Sequence, residues 1–292
     1  MESLDIVLAT CTTWPDVSVS DRCLADELTE RGHSVRGVPW NDAPIGDFTT
    51  ADLVVLRSNW DFHHDLDGFG SWLDDLEAAD VALHNPVSLV RDHLDKTYIE
   101  RLRDAGVRTP RTLLVEEFDP ELVADWMTAN DLDRVVVKPV WGASGHGVDL
   151  LDATDLGMAA EQWAADEDRR PMLVQQFVPQ IRNGELALVF FGTEYSHSLI
   201  RRPASDDFRV NTQYGGTMEL HESVHANTID FAADVLATLP GPITYARIDV
   251  VSDGHEHVLM EVEINEPAIG LHLAPGSAAR FANALLSSSD VG

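Results

Sequence analysis

Alternation of apolar runs with amphipathic helical stretches sets the tightest limit on how this chain folds. Residues 4–10 (LDIVLAT) form a continuous apolar run, followed by a helical pattern over 20–31 (SDRCLADELTER) that Gly32 closes at its C-terminal end. Residues 52–58 (DLVVLRS) read as a second strand, and 68–79 as a helix with Trp72, Leu73 and Leu76 on one face. A short strand needs a crossover helix to pair in parallel with the next, so this order predicts an α/β class with a small parallel unit over about 1–85. Ligands of open parallel sheets bind beyond the carboxyl ends of strands, where Arg57, Ser58, Asn59, Trp60 and Asp61 fall.

The character changes after Asn85-Pro86. Residues 87–105 read as one helix carrying Lys96, 119–130 as another, and 134–139 (RVVVKP) as a strand ending at Lys138. From about 172 onward come long apolar stretches (LVQQF, LALVFF, YARIDVV, VLMEVEI) and helices at 222–238 and 276–287. No repeat or low-complexity segment interrupts this order.

Lys96 and Lys138 are the only lysines among 20 basic residues, set against 50 acidic ones and a net charge of -30. A compact ammonium on a flexible stem is a common phosphate ligand, so both are candidates to touch phosphate. The acidity argues against nucleic acid and disfavours anionic membranes as partners. With 44% hydrophobic residues the chain has the means for an ordinary core, so the acidity reads as adaptation to a high-salt cytoplasm. In molar salt the Debye length is about 3 Å and the self-repulsion is screened. Melting in low and in molar salt checks this: the expected outcome is a higher Tm in salt, and equal Tm values would refute it.

No apolar run reaches the roughly 20 residues that span a bilayer, and MESLDIVLATC reads as a first strand rather than a signal peptide. Cys11 and Cys23 make neither a disulfide framework nor a metal site and read as buried small hydrophobes. A soluble, cytoplasmic protein is expected.

The sharpest local pattern is Met260-Glu-Val-Glu-Ile-Asn265. In a strand, residues two apart share a face, so Glu261, Glu263 and Asn265 line one side, and Met260, Val262 and Ile264 the other. The preceding YARIDVV puts Arg247 and Asp249 on one face, and Ser252-Asp253-Gly254 is a turn signal, so the two strands form a hairpin with Asp249 across from the acidic row. Clustered carboxylates with an amide oxygen suit Mg²⁺; a solvated acidic face on an edge strand gives the same alternation. Gly142, Ser144, Gly145 and Gly147 follow Lys138 in a loop whose amides can approach an anion, though an ordinary tight turn has the same composition. Arg201, Arg202 and Arg209, with Asn211, Gly215 and Gly216, gather positive charge able to clamp a carboxylate or a phosphoryl group, or to be neutralised by the surrounding acids. His63-His64 and His255-Glu256-His257 lie beside turn-like sequence and read as exposed loop histidines.

In order, these elements resemble the ATP-grasp superfamily of ATP-dependent carboxylate ligases. Asn85-Pro86 through Asp95-Lys96 is similar to the entry of the ATP-binding region of bacterial glutathione synthetases. Lys138-Pro139 with its glycines resembles the strand and loop that hold ATP phosphates, and Gln175-Gln176-Phe177-Val178 the hinge that binds adenine. The stretch Arg201 to Gly216 is similar to that of the ribosomal-protein glutamate ligases, and Asp249…Glu263-x-Asn265 to the metal triad. Arg57 to Asp61, Gly184-Glu185, Ser196-His197 and Glu261…Glu266-Pro267 resemble the group around D-cycloserine synthetase, from which Asn265 departs.

The resemblance implies an α+β ATP-grasp fold: an N-terminal α/β domain over 1–88 and a clasping region over 89–292, divided at about 107–175 and 176–292. It implies ATP and Mg²⁺ or Mn²⁺ as cofactors. Lys96, Lys138, the glycine loop, the hinge residues and Glu185 would bind nucleotide, and Asp249, Glu261, Glu263 and Asn265 would bind metal, with the pairs 261/263 and 263/265 both open. Arg201, Arg202 and Arg209 would stabilise the transferring phosphoryl, and Arg57, Trp60, Asp61, Asn211, Gly215 and Gly216 would face the substrates. The implied activity joins a small, amino-acid-like carboxylate to an amine through an acylphosphate, with ADP and phosphate as products, and a homodimer is left open. Ligation to a protein tail, γ-glutamyl peptide synthesis and non-catalytic nucleotide sensing remain the alternatives within this fold.

Overall fold

A computed structural model of the chain describes residues 2–166, 170–252 and 256–288. Its strands form three sheets. The first contains β1 (Asp5–Thr10), β2 (Ser34–Pro39), β3 (Leu53–Leu56) and β4 (Leu83–His84), all parallel in the order β2-β1-β3-β4. Ser18 caps the helix Val19–Glu30 by accepting the Asp21 N–H. The helix ends in a Schellman motif, with Gly32 N–H on Thr29 O at 2.9 Å and His33 N–H on Leu28 O at 3.1 Å; Gly32 meets its φ of +95° without a Cβ penalty. The helix Leu66–Ala78 buries Phe69, Trp72, Leu73 and Leu76 against Trp40 and Phe48. The chain leaves β1 for β2 on one side and returns to β3 on the other. A topological switch point therefore lies between the carboxyl ends of β1 and β3.

The single helix expected over 87–105 is two, Val87–Asp92 and Tyr98–Asp104. Between them the Asp95 carboxylate takes the Thr97 N–H at 2.9 Å, a local bond that competes with helix continuation. Lys96 thus stands in a loop, with its backbone N–H on Val140 O at 3.0 Å.

The second sheet is antiparallel: β5 (Thr112–Val115), β6 (Arg134–Pro139), β7 (Asp149–Asp152) and β8 (Met172–Gln176), ordered β5-β8-β6-β7. Helices Pro120–Ala129 and Leu156–Ala165 cover one face, where Val123, Met127 and Leu156 pack on Val135, Val137 and Val174. Period-two alternation leaves Val136 and Lys138 on the other face.

The third sheet is also antiparallel: β9 (Glu185–Phe191), β10 (Glu194–Arg202), β11 (Thr217–Leu220), β12 (Tyr245–Ser252) and β13 (His257–Glu263), ordered β11-β10-β9-β12-β13. One of its clusters packs Leu188, Ile248 and Val262 on the helices Ala226–Ala237 and Tyr98–Asp104. Another joins Val189, Phe191 and Tyr245 to Phe281 and to Ile6 and Leu24 of the first unit. Asn85 locks the junction: its Nδ2 donates to Tyr245 O at 2.9 Å and Ile264 O at 2.7 Å, while its Oδ1 accepts from Thr244 N–H at 2.7 Å.

β12 and β13 form the expected hairpin; Asp253, Gly254 and His255 of the expected turn lie outside the described residues. Asp249 pairs with Glu261 and Arg247 with Glu263, but Val250 pairs with Leu259, so Met260 is the extra residue of a bulge. Contrary to the strict alternation expected, Met260 joins Phe177, Val178 and Ile181, while Leu259, Val262 and Ile264 share the core. Among the described residues no helix is long and apolar enough to cross a membrane.

Candidate active site

A cleft of about 600 Å³ opens between the second and third sheets and extends to the loops after β1 and β3. Both lysines reach it, Lys138 from the end of β6 and Lys96 from the loop before Tyr98–Asp104. The carboxylates of Asp249, Glu261 and Glu263 converge there, with one oxygen from each within 4.8 Å of the others. Asn265 is buried, and its Oδ1 lacks a partner among the described residues. Hard oxygen donors gathered this way suit a divalent ion.

Cations pin these carboxylates. The buried Arg247 donates from Nε and Nη2 to the two Asp249 oxygens at 2.7 Å each, and from Nη2 to Glu263 at 2.5 Å. Arg201 Nη1 reaches Glu185 at 3.0 Å and Asp249 at 2.9 Å, and Lys96 pairs with Glu261. Burial alone would raise Glu261, but Lys96 and then Lys138 outweigh it and hold the carboxyl down at about 2. Burial, and secondarily Asp249, raises Glu185. Burial and Glu263 raise Glu266 to about 8. Burial lowers the Lys138 ammonium to about 8, against the pull of Glu261. The network is compact, desolvated and mixed in sign, which strengthens every interaction inside it.

Comparison with known proteins agrees with this geometry. The family model of the prokaryotic glutathione synthetase ATP-grasp domain matches residues 105–272, and that of the D-cycloserine synthetase N-terminal domain matches residues 6–85. The chain belongs to the ATP-grasp ligases. It is similar to the cycloserine biosynthesis protein DcsG of Streptomyces lavendulae, 29% identical over 84% of this chain and 86% of that one. It is also similar to a glutathione synthetase of Rhodopseudomonas palustris, 27% identical over 86% of this chain and 76% of that one. The crystal structure of D-cycloserine synthetase DcsG shares the fold, with a TM-score of 0.85 over 97% of this chain and 99% of that one at 23% identity.

In this ATP-grasp ligase the glycine loop, Gly142 to Gly147, faces the Asn211–Tyr214 loop across the cleft. Gln213 Nε2 donates to Ser144 O, and Tyr214 OH donates to Gly145 O at 3.2 Å. A Cβ on Gly145 would lie 2.8 Å from Asn211 Oδ1, so the approach needs glycine there. Gln175, Gln176, Phe177 and Val178 line the cleft at the end of β8, with Arg134 over the Phe177 ring at 4.9 Å. Arg209 also lines it. Asp207 holds its guanidinium through two parallel bonds at 3.1 and 2.8 Å, and its Cζ lies 3.5 Å over the Tyr214 ring. The Arg209 bonds in turn hold Asp207 down at about 2.

Several expected residues stand elsewhere. Arg202, on the opposite face of β10 from Arg201, is exposed and paired with Glu219 at 3.3 Å. Gly215 and Gly216 line no part of the cleft; a Cβ on Gly216 would meet Val210 O at 2.3 Å, so the pair shapes the turn behind Asn211. Gly147 packs on Pro139 instead of facing the cavity. Asp61 accepts from Trp40 Nε1 at 2.8 Å and Asn41 Nδ2 at 2.9 Å, outside the cleft. Arg57 is 1% exposed, ion-paired with Asp21 at 2.8 Å and bonded to Pro267 O at 2.8 Å. It ties the first unit to the segment that follows β13. Removing one partner of such a pair leaves a buried charge, so Arg57→Ala is expected to cost about 3 kcal/mol by denaturant unfolding. A change in KM without loss of stability would restore Arg57 to the substrate side.

His63 is also not the exposed loop histidine expected. It is 5% exposed with both ring nitrogens unpartnered among the described residues, and burial followed by His64 lowers it to about 4. Trp14 carries no motif, Glu266 enters only through the resemblance at Glu261…Glu266-Pro267, and Arg247 only as the face-mate of Asp249. The period-two spacing of Arg247 and Asp249 held the one available signal, since a buried guanidinium needs the facing carboxylates.

Proposed function

We propose that the chain joins a small carboxylate to an amine in the cytoplasm at the expense of ATP, with residues 89–292 clasping the nucleotide. The observation that carries this reading is the facing of two lysines and three converging carboxylates within one desolvated cleft. Phe177 and Val178 would hold the adenine, and Lys96, Lys138 and the amides of Gly142, Ser144 and Gly145 the phosphates. A divalent ion, Mg²⁺ or Mn²⁺, held by Asp249, Glu261, Glu263 and Asn265 would supply neutralisation at phosphate oxygens.

A substrate carboxylate oxygen attacks the γ-phosphorus, and the bond to the bridging oxygen breaks, releasing ADP. The amine nitrogen then attacks the acyl carbon of the acylphosphate. Phosphate leaves with the C–O bond pair, and the amine proton passes to phosphate or solvent. The chain contributes positioning and charge, as phosphoryl transfer requires. Arg201 and Arg209 line the cleft where the transferring phosphoryl and the tetrahedral oxyanion would form. ADP release from Mg²⁺-ATP mixed with pools of amino acids tests the reading, with hydroxylamine trapping the acylphosphate as a hydroxamate. Nucleotide binding without turnover across the panel would make the protein a sensor instead.

A further inference from the structure

The glycine loop is held from two sides. On one, Gln213 and Tyr214 donate to its Ser144 and Gly145 carbonyls. On the other it rests on the first unit: Ala143 packs on the core cluster that contains Phe62, and His146 N–H closes a turn onto Ala143 O at 3.1 Å. The His146 ring meets the 3₁₀ turn Phe62–His64, its centroid 6.3 Å from that of His63 and 6.1 Å from that of His64. The His63 and His64 rings are themselves 4.0 Å apart. Arg170, just before β8, adds a guanidinium, its Nη1 donating to His63 O at 2.8 Å. The carboxylates beside the turn point elsewhere, Asp61 to Trp40 and Asn41, and Asp65 to Gly68 N–H at 2.9 Å.

Three imidazoles and a guanidinium thus crowd the place where the glycine loop touches the first unit. His64 and His146 are exposed, while His63 is buried with both ring nitrogens unpartnered among the described residues. Neutral rings tolerate this crowding. Imidazolium ions about 6 Å apart repel one another, and a buried one lacks hydration. Burial, then His64, His146 and Arg170, hold His63 down at about 4. The seated loop therefore binds fewer protons than a released one, so its seating is complete above the ordinary histidine pKa of about 6.5 and weakens as pH falls below it. We infer that His63, His64 and His146 form an acid-sensitive seat for the glycine loop, which positions the Ser144 and Gly145 amides while the rings are neutral. They are positioning residues: His63 and His64 line no part of the cleft. The inference rests on the proposed phosphate role of the loop for its effect on ATP, and on the ring geometry alone for the release.

The test compares the full chain with His64→Gln, an exposed change outside the cleft that removes one titrating ring. Amide exchange of the segment 140–148 in the chain without nucleotide reports the seat, and calorimetric affinity for Mg²⁺-ATP reports its consequence. At about pH 8 parent and variant are expected to agree in both. At about pH 5.5 the parent segment should exchange about 3- to 10-fold faster than the variant's, and the parent should bind ATP more weakly by the same factor. Protonation of the nucleotide is common to both proteins and cancels in that ratio. His146→Gln is expected to flatten the acid response in the same way. An acid response that survives either substitution overturns the seat. A difference already complete at about pH 8 marks packing instead of charge and also overturns it. So does a Tm raised by Zn²⁺ in the parent and unchanged in His64→Gln, which would make the rings a metal site. Acid-dependent exchange abolished by His64→Gln, with no parallel change in ATP affinity, sinks the phosphate role of the loop and leaves the seat standing.

Discussion

Replacing Lys138 with alanine is expected to lower ATP turnover about 10³-fold, the scale on which a single cation contributes to a phosphoryl-transfer transition state. Lys138 ends β6 on the face opposite the Val135 and Val137 core, so its truncation leaves that packing untouched. Its stem is desolvated, and Glu261 favours the ammonium while Lys96 opposes it. Phosphate would strengthen the charged form further. Lys138→Met separates the two contributions, since it keeps the apolar stem and deletes the charge. Steady-state kinetics should therefore find methionine no better than alanine, with the Tm of both close to the parent. Methionine restoring turnover would mean that Lys138 packs against nucleotide without acting on phosphate.

Much of this geometry is written in short-range patterns. β6 runs from Arg134 to Pro139 as expected because an apolar run bounded by Asp133 and a proline leaves little else to form. The pairing of Asp249 with Glu261 follows from a turn signal between two alternating strands. What escaped depends on single residues or distant partners. Met260 turns into the cleft because a bulge inserts one residue, and bulges leave no period of their own. Asp95 interrupts the helix over 87–105 through one side-chain bond that a helix former nearby does not reveal. Adjacent arginines share a motif but not a face, so Arg201 enters the ion-pair network and Arg202 meets Glu219 outside it. Arg57 has the sequence of a ligand-binding loop, yet its partner Asp21 lies 36 residues earlier and takes its charge into the interior. β4 and β7, with two and four residues, are too short for alternation to register.

Asp249→Asn carries the second large effect, because that carboxylate serves two opposing charges at once. Asp249 converges with Glu261 and Glu263 on one point beside Lys96, Lys138, Arg201 and Arg247. A divalent ion needs such hard carboxylate oxygens, and the substitution takes away one ligand and its charge. The substitution also turns an amide donor toward Arg247 or Arg201, both of which donate to Asp249. The Mg²⁺-dependent part of ATP affinity is expected to fall about 100-fold, while the weak metal-free affinity changes little. Arg247 keeps Glu263 and Ala268 O as partners, so the fold should survive with a loss of about 3 kcal/mol. Calorimetric titration of ATP with and without Mg²⁺ reads the first effect, and urea unfolding of the apo chain the second. Equal loss of affinity in both titrations would mean that Asp249 organises the arginines alone, and that the metal rests on Glu261, Glu263 and Asn265.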